Sequence, residues 1–329
     1  MSATGCSRGE SRLERSFQWV GTGCESGRGR AYHGRVARSR LITDATLLAH
    51  VNKLGEDHPP IRMDSVDFTV NNPDVLRTRF AGVLDYLARV ELEVERNVLE
   101  LLTIMPNPSE ADKVFYSDVW YDQEIAHGQI LDELKRRIDL PEAEPLLQVG
   151  FAVQALGALA KWEPIQDVAR TIYYFTGAST ERQAVLAYNA LSSQLDELGE
   201  LAVRDTIINQ IKRQEPGHFA FYRMSAEKIT TDGTLKPWQL YLARVLREHS
   251  YELVGTHNDP QHQATMGEVI DVLGFSGQLE VFAKEIGRLE AKLLWANRQG
   301  MEFPPYVLRA LRESVEMYRE QGSFMARLA

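Results

Sequence analysis

Hydrophobic positions recur every three or four residues along most of the chain from Asn71 onward, which is the spacing of one face of an α-helix. Runs of alternating β-branched residues bounded by turn residues, the pattern typical of strands, do not occur in that stretch. We therefore predict an all-α fold. The predicted long helices cover about residues 74–104, 109–138, 164–195 and 196–229, and further C-terminal helices cover 237–257, 261–273, 276–298 and 304–320.

The connections between the four long helices differ in length. Pro106 and Pro108 mark a short turn between the first and second helices, and the third runs almost directly into the fourth. Between the second and third lies a longer Ala- and Leu-rich segment, residues 145–162, for which we predict a helix of its own. Two antiparallel hairpins joined by one long crossover are the connectivity of a ferritin-like four-helix bundle.

The first and third long helices each carry a glutamate at the depth of the predicted bundle interior. In the first helix, Glu91 completes an apolar series whose members are three or four residues apart. Glu95, one turn further along the same side, is the alternative. In the third helix, Glu181 lies near the middle. Because unpaired charges are rarely buried, these glutamates indicate a bound partner rather than ordinary packing.

The other two long helices each carry Glu-x-x-His in their inward stripe, as Glu124 with His127 and Glu215 with His218. This spacing places carboxylate and imidazole on one side of a helix, so that both reach one metal ion. A di-iron or di-manganese carboxylate site in such a bundle needs these two motifs and one Glu from each remaining helix. Pro216, inside the second motif, predicts a kink or a helix restart. The predicted metal ligands are Glu91, Glu124, His127, Glu181, Glu215 and His218.

The residues around these motifs resemble those of soluble acyl-carrier-protein desaturases, members of the ferritin-like di-iron carboxylate superfamily. Residues 120–131 resemble their second ligand helix, in which Trp precedes Glu by four positions and Gly follows His. Thr180-Glu181-Arg182 resembles their third, which carries a Glu-Arg pair, and residues 207–229 resemble their fourth. The resemblance spans residues 74–298, with motif-level similarity in short stretches only. It implies iron as the metal, the same six ligands and a homodimer.

Some features depart from the desaturase pattern. The family has a Thr three residues after the third-helix Glu, where this chain has Ala184, and Pro-Gly lies between the ligands of the fourth helix. Acyl carrier protein is strongly acidic, so an acidic domain would repel it unless a patch such as Lys135-Arg136-Arg137 provides the contact. Desaturation of a carrier-bound chain and a related oxidation of another substrate therefore both stay open.

Charge and composition divide the chain near Pro59-Pro60. Residues 1–62 carry 10 Lys/Arg and 6 Asp/Glu, whereas residues 63–329 carry 27 and 40. The first segment is rich in Gly, Ser and Arg, which predicts a mostly disordered leader: a transit peptide, a nucleic-acid-binding arm, or an untranslated extension ahead of Met63. We place the helical domain at residues 63–329. Its negative charge argues against nucleic acid as a partner.

Other classes are excluded by what the sequence lacks. Cys6 and Cys24 are the only cysteines, so the helical domain is neither a disulfide scaffold nor a Cys-ligated zinc or iron–sulfur protein. Apolar runs of about 18 residues and a secretory signal are also missing, which predicts a cytoplasmic protein without a membrane span, unless the leader directs organelle import. Nucleotide-binding fingerprints and nucleophile elbows do not occur.

These patterns favour a dioxygen-dependent di-iron oxidase, desaturase- or hydroxylase-like, that acts on an apolar substrate such as an acyl chain. Two irons are the expected cofactor, with manganese as the alternative. Because the sequence has no flavin or nicotinamide motif, we expect an external electron donor of the ferredoxin type. A ferroxidase or iron-handling protein on the same bundle, and a metal-free helical interaction protein, are the alternative functions.

Overall fold

Helices account for all regular secondary structure in the computed structural model, which describes residues 42–105, 107–296 and 298–329. No strand occurs within these ranges, which confirms the all-α prediction there. None of the described helices is both long and apolar enough to cross a membrane. The helices are α1 (Asp44–Asp57), α2 (Pro73–Leu92), α3 (Val94–Ile104), α4 (Glu110–Val114), α5 (Tyr121–Arg137), α6 (Phe151–Ala160), α7 (Glu163–Leu198), α8 (Leu201–Val203), α9 (Asn209–Thr231), α10 (Pro237–Ser250), α11 (Pro260–Val272), α12 (Leu279–Leu293), α13 (Pro305–Gln321) and α14 (Phe324–Leu328).

The helices that carry the predicted ligands lie side by side. α2 lies along α5, and α7 lies along α9. The C-terminal helices cover this group, with α11 between α13 and α2, and α12 against α7. α6 occupies the connection between α5 and α7, within the segment predicted to hold a helix. Buried apolar side chains fill the space between these helices, among them Phe80, Leu131, Leu191 and Ile211.

Local sequence explains where several helices begin and end. The Ser109 hydroxyl accepts a hydrogen bond from the backbone N–H of Asp112 at 3.2 Å, and the Asp112 carboxylate accepts one from the N–H of Ser109 at 3.0 Å. This capping box starts α4 as the sequence predicts. Gly199 ends α7 in the left-handed region, with φ of 74°. π-helical turns at Phe115–Trp120 and Arg204–Ile208 lead directly into α5 and α9.

The first long helix is predicted as one element over residues 74–104, but the structure divides it at Glu93. The Glu93 carboxylate lies 2.8 Å from Arg89 Nη1, 3.0 Å from Arg96 Nη2 and 2.8 Å from His257 Nε2. Glu93 has ψ of 0°, so the chain turns between α2 and α3 where this buried network holds it. The apolar series nevertheless continues across the break, because Leu87, Glu91 and Val94 are all buried.

The fourth long helix also begins later than residue 196. α7 continues to Leu198, and the short α8 and a π-helical turn precede α9, which starts at Asn209. Pro216 lies inside α9, which continues on both sides of it, so the helix does not restart there. Pro216 lacks only one N–H, and a single missing hydrogen bond leaves the rest of a long, buried helix intact.

Residues 42–62 belong to the folded domain, so the predicted boundary at residue 62 is wrong. α1 buries Leu47, Val51 and Leu54, and it contacts α4 and α9. These residues follow helical spacing, but the composition averaged over residues 1–62 is dominated by the Gly-, Ser- and Arg-rich residues that precede them. The predictions made for residues 1–41 lie outside the described residues.

Candidate metal centre

Six acidic and imidazole side chains from four helical segments meet in the interior, and all are buried. They are the six that the sequence singles out. The alternative residue of the first helix, Glu95, is exposed to solvent. The contributions are Glu91 from α2, Glu124 and His127 from α5, Glu181 from α7, and Glu215 and His218 from α9.

These side chains form two overlapping groups of four. Within each group, one ligand atom from every residue lies within 4.8 Å of the others. Glu124 and Glu215 belong to both groups, which is where carboxylates that bridge two ions would lie. The remaining members are Glu91 and His127 in the first group, and Glu181 and His218 in the second.

Both imidazoles present Nδ1 to the carboxylates. His127 Nδ1 lies 3.4 Å from Glu215 and 3.6 Å from Glu91. His218 Nδ1 lies 2.9 Å from Glu124 and 3.6 Å from Glu215. Even so, neither Nδ1 has a hydrogen-bond partner in the described residues, and the same holds for the Oε1 atoms of Glu124 and Glu215. Buried polar atoms normally have partners, so these four atoms are arranged as cation ligands would be.

Two glutamines that the sequence analysis does not identify contact the imidazoles at Nε2, the nitrogen that faces away from the carboxylates. Gln214 Oε1 lies 2.6 Å from His127 Nε2, and Gln123 Oε1 lies 2.6 Å from His218 Nε2. Each glutamine therefore serves the histidine of the other helix. The signal was present in the sequence, because both motifs read Gln-Glu-x-x-His. Such hydrogen bonds to the remote nitrogen commonly fix the orientation of histidine ligands.

Glu91 has a further hydrogen-bond donor, the phenol of Tyr188, which is fully buried on α7. Burial alone would raise the pKa of Glu91, but its polar neighbours Glu124, His127 and Tyr188 hold that pKa down, at about 2. The sequence indicates only a core aromatic at position 188, because nothing along the chain places its hydroxyl against Glu91. Glu91 is thus held as an anion.

The two carboxyls shared by both groups have pKa values shifted in the opposite direction from that of Glu91. Burial raises the pKa of Glu215 to about 8. Burial and the negative charges of Glu91 and Glu215 raise the pKa of Glu124 well above its usual range. Four carboxyls cannot all ionise in this interior without positive charge. The metal-free cluster therefore holds protons that bound cations would displace.

A largely apolar cavity reaches the cluster from the side of α2, α7, α11 and α12. It is partly open to solvent, and four of the six clustered residues line it. A more polar cleft meets it at Trp120, Thr180 and Glu181. The apolar walls include Leu87, Val90, Ala184, Met266, Ile270 and Phe282.

Comparison of the chain with protein-family models, curated proteins and solved structures finds no match. What the site can do must therefore be judged from its donor atoms. The cluster offers four carboxylates and two imidazoles and no thiolate. Oxygen and imidazole donors of this kind suit divalent iron and manganese better than metals that prefer sulfur.

Proposed function

We propose that the cluster binds two metal ions, iron by preference, and that the protein is a dioxygen-dependent oxidase of an apolar substrate. The observation that carries the proposal is the set of four buried donor atoms without partners, at His127, His218, Glu124 and Glu215. Burying such groups unsatisfied is costly, and two shared cations would satisfy all of them. Six protein ligands around two ions also leave coordination positions for dioxygen.

The order of the ligands along the chain supports a ferritin-like bundle of the desaturase type as the scaffold. The sequence of contributions is Glu, Glu-x-x-His, Glu and Glu-x-x-His, and the longest separation between successive ligands along the chain, from His127 to Glu181, contains α6. This is the arrangement of ligands in di-iron carboxylate bundles. We propose a homodimer on the same basis, the similarity of the motifs to those of desaturases.

The proposed chemistry needs electrons that the chain itself does not supply. Bound ferrous ions would provide the site at which dioxygen is reduced. Hydroxylation converts a C–H bond, O₂, two electrons and two protons into an alcohol and water. Desaturation uses the same reagents, removes two hydrogen atoms from the substrate and gives two waters. We propose an external, ferredoxin-type protein as the electron donor.

The residues of the chain position the reactants. The apolar cavity would bind the hydrocarbon part of a substrate beside Glu91 and Glu181 and keep water from it. Tyr188 holds the carboxylate of Glu91 in place, and Gln123 and Gln214 orient the two imidazoles.

The surface favours a free substrate over a carrier-bound one. Lys135 is fully buried and lies 2.7 Å from Asp85. Arg136 and Arg137 both bind Glu133, each at 2.6 Å. The basic patch that could attract acidic acyl carrier protein therefore has one buried, paired member and two arginines that share one carboxylate. We propose a free apolar molecule as the substrate.

Metal analysis tests the proposal. Protein purified from cells supplied with iron should contain about two irons per chain, as a dinuclear carboxylate site requires. Glu91→Gln should lower that number. Glu95→Gln is the matched control, because Glu95 is exposed one turn away and should leave the iron content unchanged. Protein that binds neither iron nor manganese would contradict the proposal.

Excess ferrous ion distinguishes an oxidase from an iron store. We expect the ferrous protein exposed to O₂ to oxidise its own two ions once and then stop, because no reductant is present. Continued oxidation of added ferrous ion, with large numbers of ferric ions retained by the assembly, would establish iron storage instead. The measurement is ferric absorbance against time at increasing ratios of iron to protein.

A further inference from the structure

A short segment after α1, outside the four ligand helices, contacts the two glutamines that hold the clustered histidines. We call residues 58–60, His-Pro-Pro, the strap. The His58 carbonyl accepts a hydrogen bond from Gln123 Nε2, and the Pro59 carbonyl accepts one from Gln214 Nε2 at 2.8 Å. Both glutamines that orient the clustered histidines are therefore anchored to the strap backbone.

These anchors settle which way the glutamines and the histidines face. A backbone carbonyl can only accept hydrogen bonds, so the amide nitrogen of each glutamine must point to the strap. The amide oxygen then points to the imidazole, and because it too can only accept, the imidazole Nε2 must carry a proton. In each neutral imidazole the free lone pair is then on Nδ1, the atom that faces the carboxylates at His127 and His218.

The strap is held in place by a second set of contacts. His50 Nε2, on α1, lies 3.0 Å from the carbonyl oxygen of Gly217. Leu54 packs so closely on Gly217 that a methyl group added there would overlap Leu54 Cδ1. Gly217 lies between Glu215 and His218, so α1 is docked on the second ligand motif itself. The same short stretch of chain thus contacts both α5 and α9.

We propose that the strap is a positioning element of the metal centre and that its docking is coupled to metal binding. Gln123 and Gln214 are the positioning residues through which it acts. The proposal rests on the proposed metal-binding function, because it assigns the strap the task of presenting Nδ1 of both histidines to the ions. Coupling is reciprocal: if a docked strap favours metal binding, bound metal must stabilise the docked strap.

Cobalt(II) titration of the full-length, metal-free protein tests the role of the glutamines. Gln123→Leu and Gln214→Leu should each weaken cobalt binding by about 10- to 100-fold, the usual effect of removing a partner of a histidine ligand. Gln239→Leu is the matched control. Gln239 is also buried and also donates to a backbone carbonyl, that of Pro164 at 2.7 Å, on helix α10 rather than on a ligand helix. Its removal should leave cobalt affinity unchanged.

Hydrogen–deuterium exchange of the wild-type protein tests the strap without relying on any variant. Zinc(II) binding should slow exchange of the α1 amides, and the double variant Gln123→Leu/Gln214→Leu should lose that effect. Wild-type protein that binds neither cobalt nor zinc overturns both the metal centre and the strap proposal. If the wild type binds metal but α1 exchange does not change, or if the glutamine variants bind cobalt like Gln239→Leu, the strap proposal falls and the metal centre stands.

Discussion

Two buried charged clusters begin only two residues apart on the chain, at Glu91 and at Glu93. The Glu93 carboxylate lies 2.8 Å from a nitrogen of Arg89, 3.0 Å from one of Arg96 and 2.8 Å from one of His257. Cationic or donor groups of the chain therefore contact both of its oxygens. The cluster at Glu91 contains four carboxylates, and in the described part of the chain only histidines lie within ion-pair distance of them.

The difference separates a structural charge network from a candidate binding site. Both glutamates are buried, at 7% exposure for Glu91 and 1% for Glu93, so burial does not distinguish them. What distinguishes them is the supply of positive charge. The Glu93 cluster is complete as the chain folds, whereas the Glu91 cluster must take up protons or bind cations from outside.

The largest expected effect comes from removing the central acid of the complete cluster. Glu93→Gln leaves the buried Arg89 without a carboxylate and leaves Arg96 with Glu100 alone, at 3.5 Å; breaking a buried ion pair in this way costs about 3–5 kcal/mol of unfolding free energy. Glu124→Gln should change that free energy in the metal-free protein by less than about 1 kcal/mol, because burial and the neighbouring carboxylates raise the pKa of Glu124 well above its usual range and so already favour a neutral group there. Urea denaturation of both variants measures the two values.

The same two substitutions should affect metal binding in the opposite order, with the larger effect from Glu124→Gln. Glu124→Gln removes a residue shared by both ligand groups and should abolish binding of at least one ion, whereas Glu93→Gln should retain wild-type stoichiometry at temperatures where it is folded. Equal destabilisation by the two substitutions would show that the clusters do not differ in the way proposed.

The next expected effect is a dependence of stability on pH. The pKa of Glu215 is raised from 4.5 to about 8, so its contribution to stability is complete below pH 4.5 and is lost as the pH rises toward 8. The pKa of Glu91 is lowered to about 2, so its contribution is lost only in acid. Metal-free protein should therefore be less stable at pH 8 than at pH 6.

Bound metal should reverse this trend, because ions bind more tightly as the carboxyls lose their protons. Urea denaturation at pH 6, 7 and 8, with and without zinc, gives both slopes. Glu215→Gln is the control, since an amide cannot ionise and should flatten the slope of the metal-free protein. A stability of the metal-free wild type that rises between pH 6 and pH 8 would contradict the prediction.

A smaller effect is expected where α1 meets the metal cluster. Gly217→Ala introduces a methyl group against Leu54 and should cost about 1–3 kcal/mol, the usual range for overpacking. Leu54→Ala should also destabilise the protein, because it leaves a cavity. The double variant should be more stable than the sum of the two changes predicts, since the truncated side chain makes room for the added methyl.

The coupling energy from this double-mutant cycle is the measurement, taken from urea denaturation of the four proteins. Strict additivity would mean that α1 does not pack on Gly217. The Glu93 cluster should be unaffected, because it lies on α2 and α3 and at His257.

The parts of the site that depend on spacing within one helix could be predicted from the sequence. Glu124 and His127 share a face because they are three residues apart, and Glu91 rather than Glu95 falls in the buried series. Contacts between helices could not be predicted in this way. Periodicity shows which face of α9 is buried, but it does not show that Gln214 reaches His127 on another helix.

Average composition gives a wrong prediction where a short helical segment is averaged with a longer segment of different composition. Averaging over residues 1–62 groups residues 42–62 with the Gly- and Arg-rich residues before them, although Leu47, Val51 and Leu54 have helical spacing. Charge counting along the chain misled it at Lys135, which is neutralised by Asp85, about 50 positions earlier in the sequence. In both places the deciding contact is distant in sequence, and a local window does not contain it.

The smallest expected effect concerns the cavity side of the metal cluster. Ala184 lines the apolar cavity three residues after Glu181, where the desaturases that the motifs resemble carry a Thr. Ala184→Thr should change stability by less than about 1 kcal/mol, because its side chain faces the cavity rather than a filled core.

The rate of ferrous oxidation by O₂ should stay the same in Ala184→Thr, since it depends on open metal positions and not on a hydroxyl. With a chemical reductant supplied, the added hydroxyl should instead lower the amount of hydrogen peroxide released per O₂ consumed, because more of the O₂ is then reduced by four electrons to water. Ala187→Thr adds the same atoms to the same cavity one turn further from Glu181 and should leave peroxide release unchanged. Stopped-flow absorbance gives the oxidation rate and a peroxidase assay gives the peroxide. A change in oxidation rate without a change in peroxide would assign position 184 to oxygen access rather than to the fate of the oxidising equivalents.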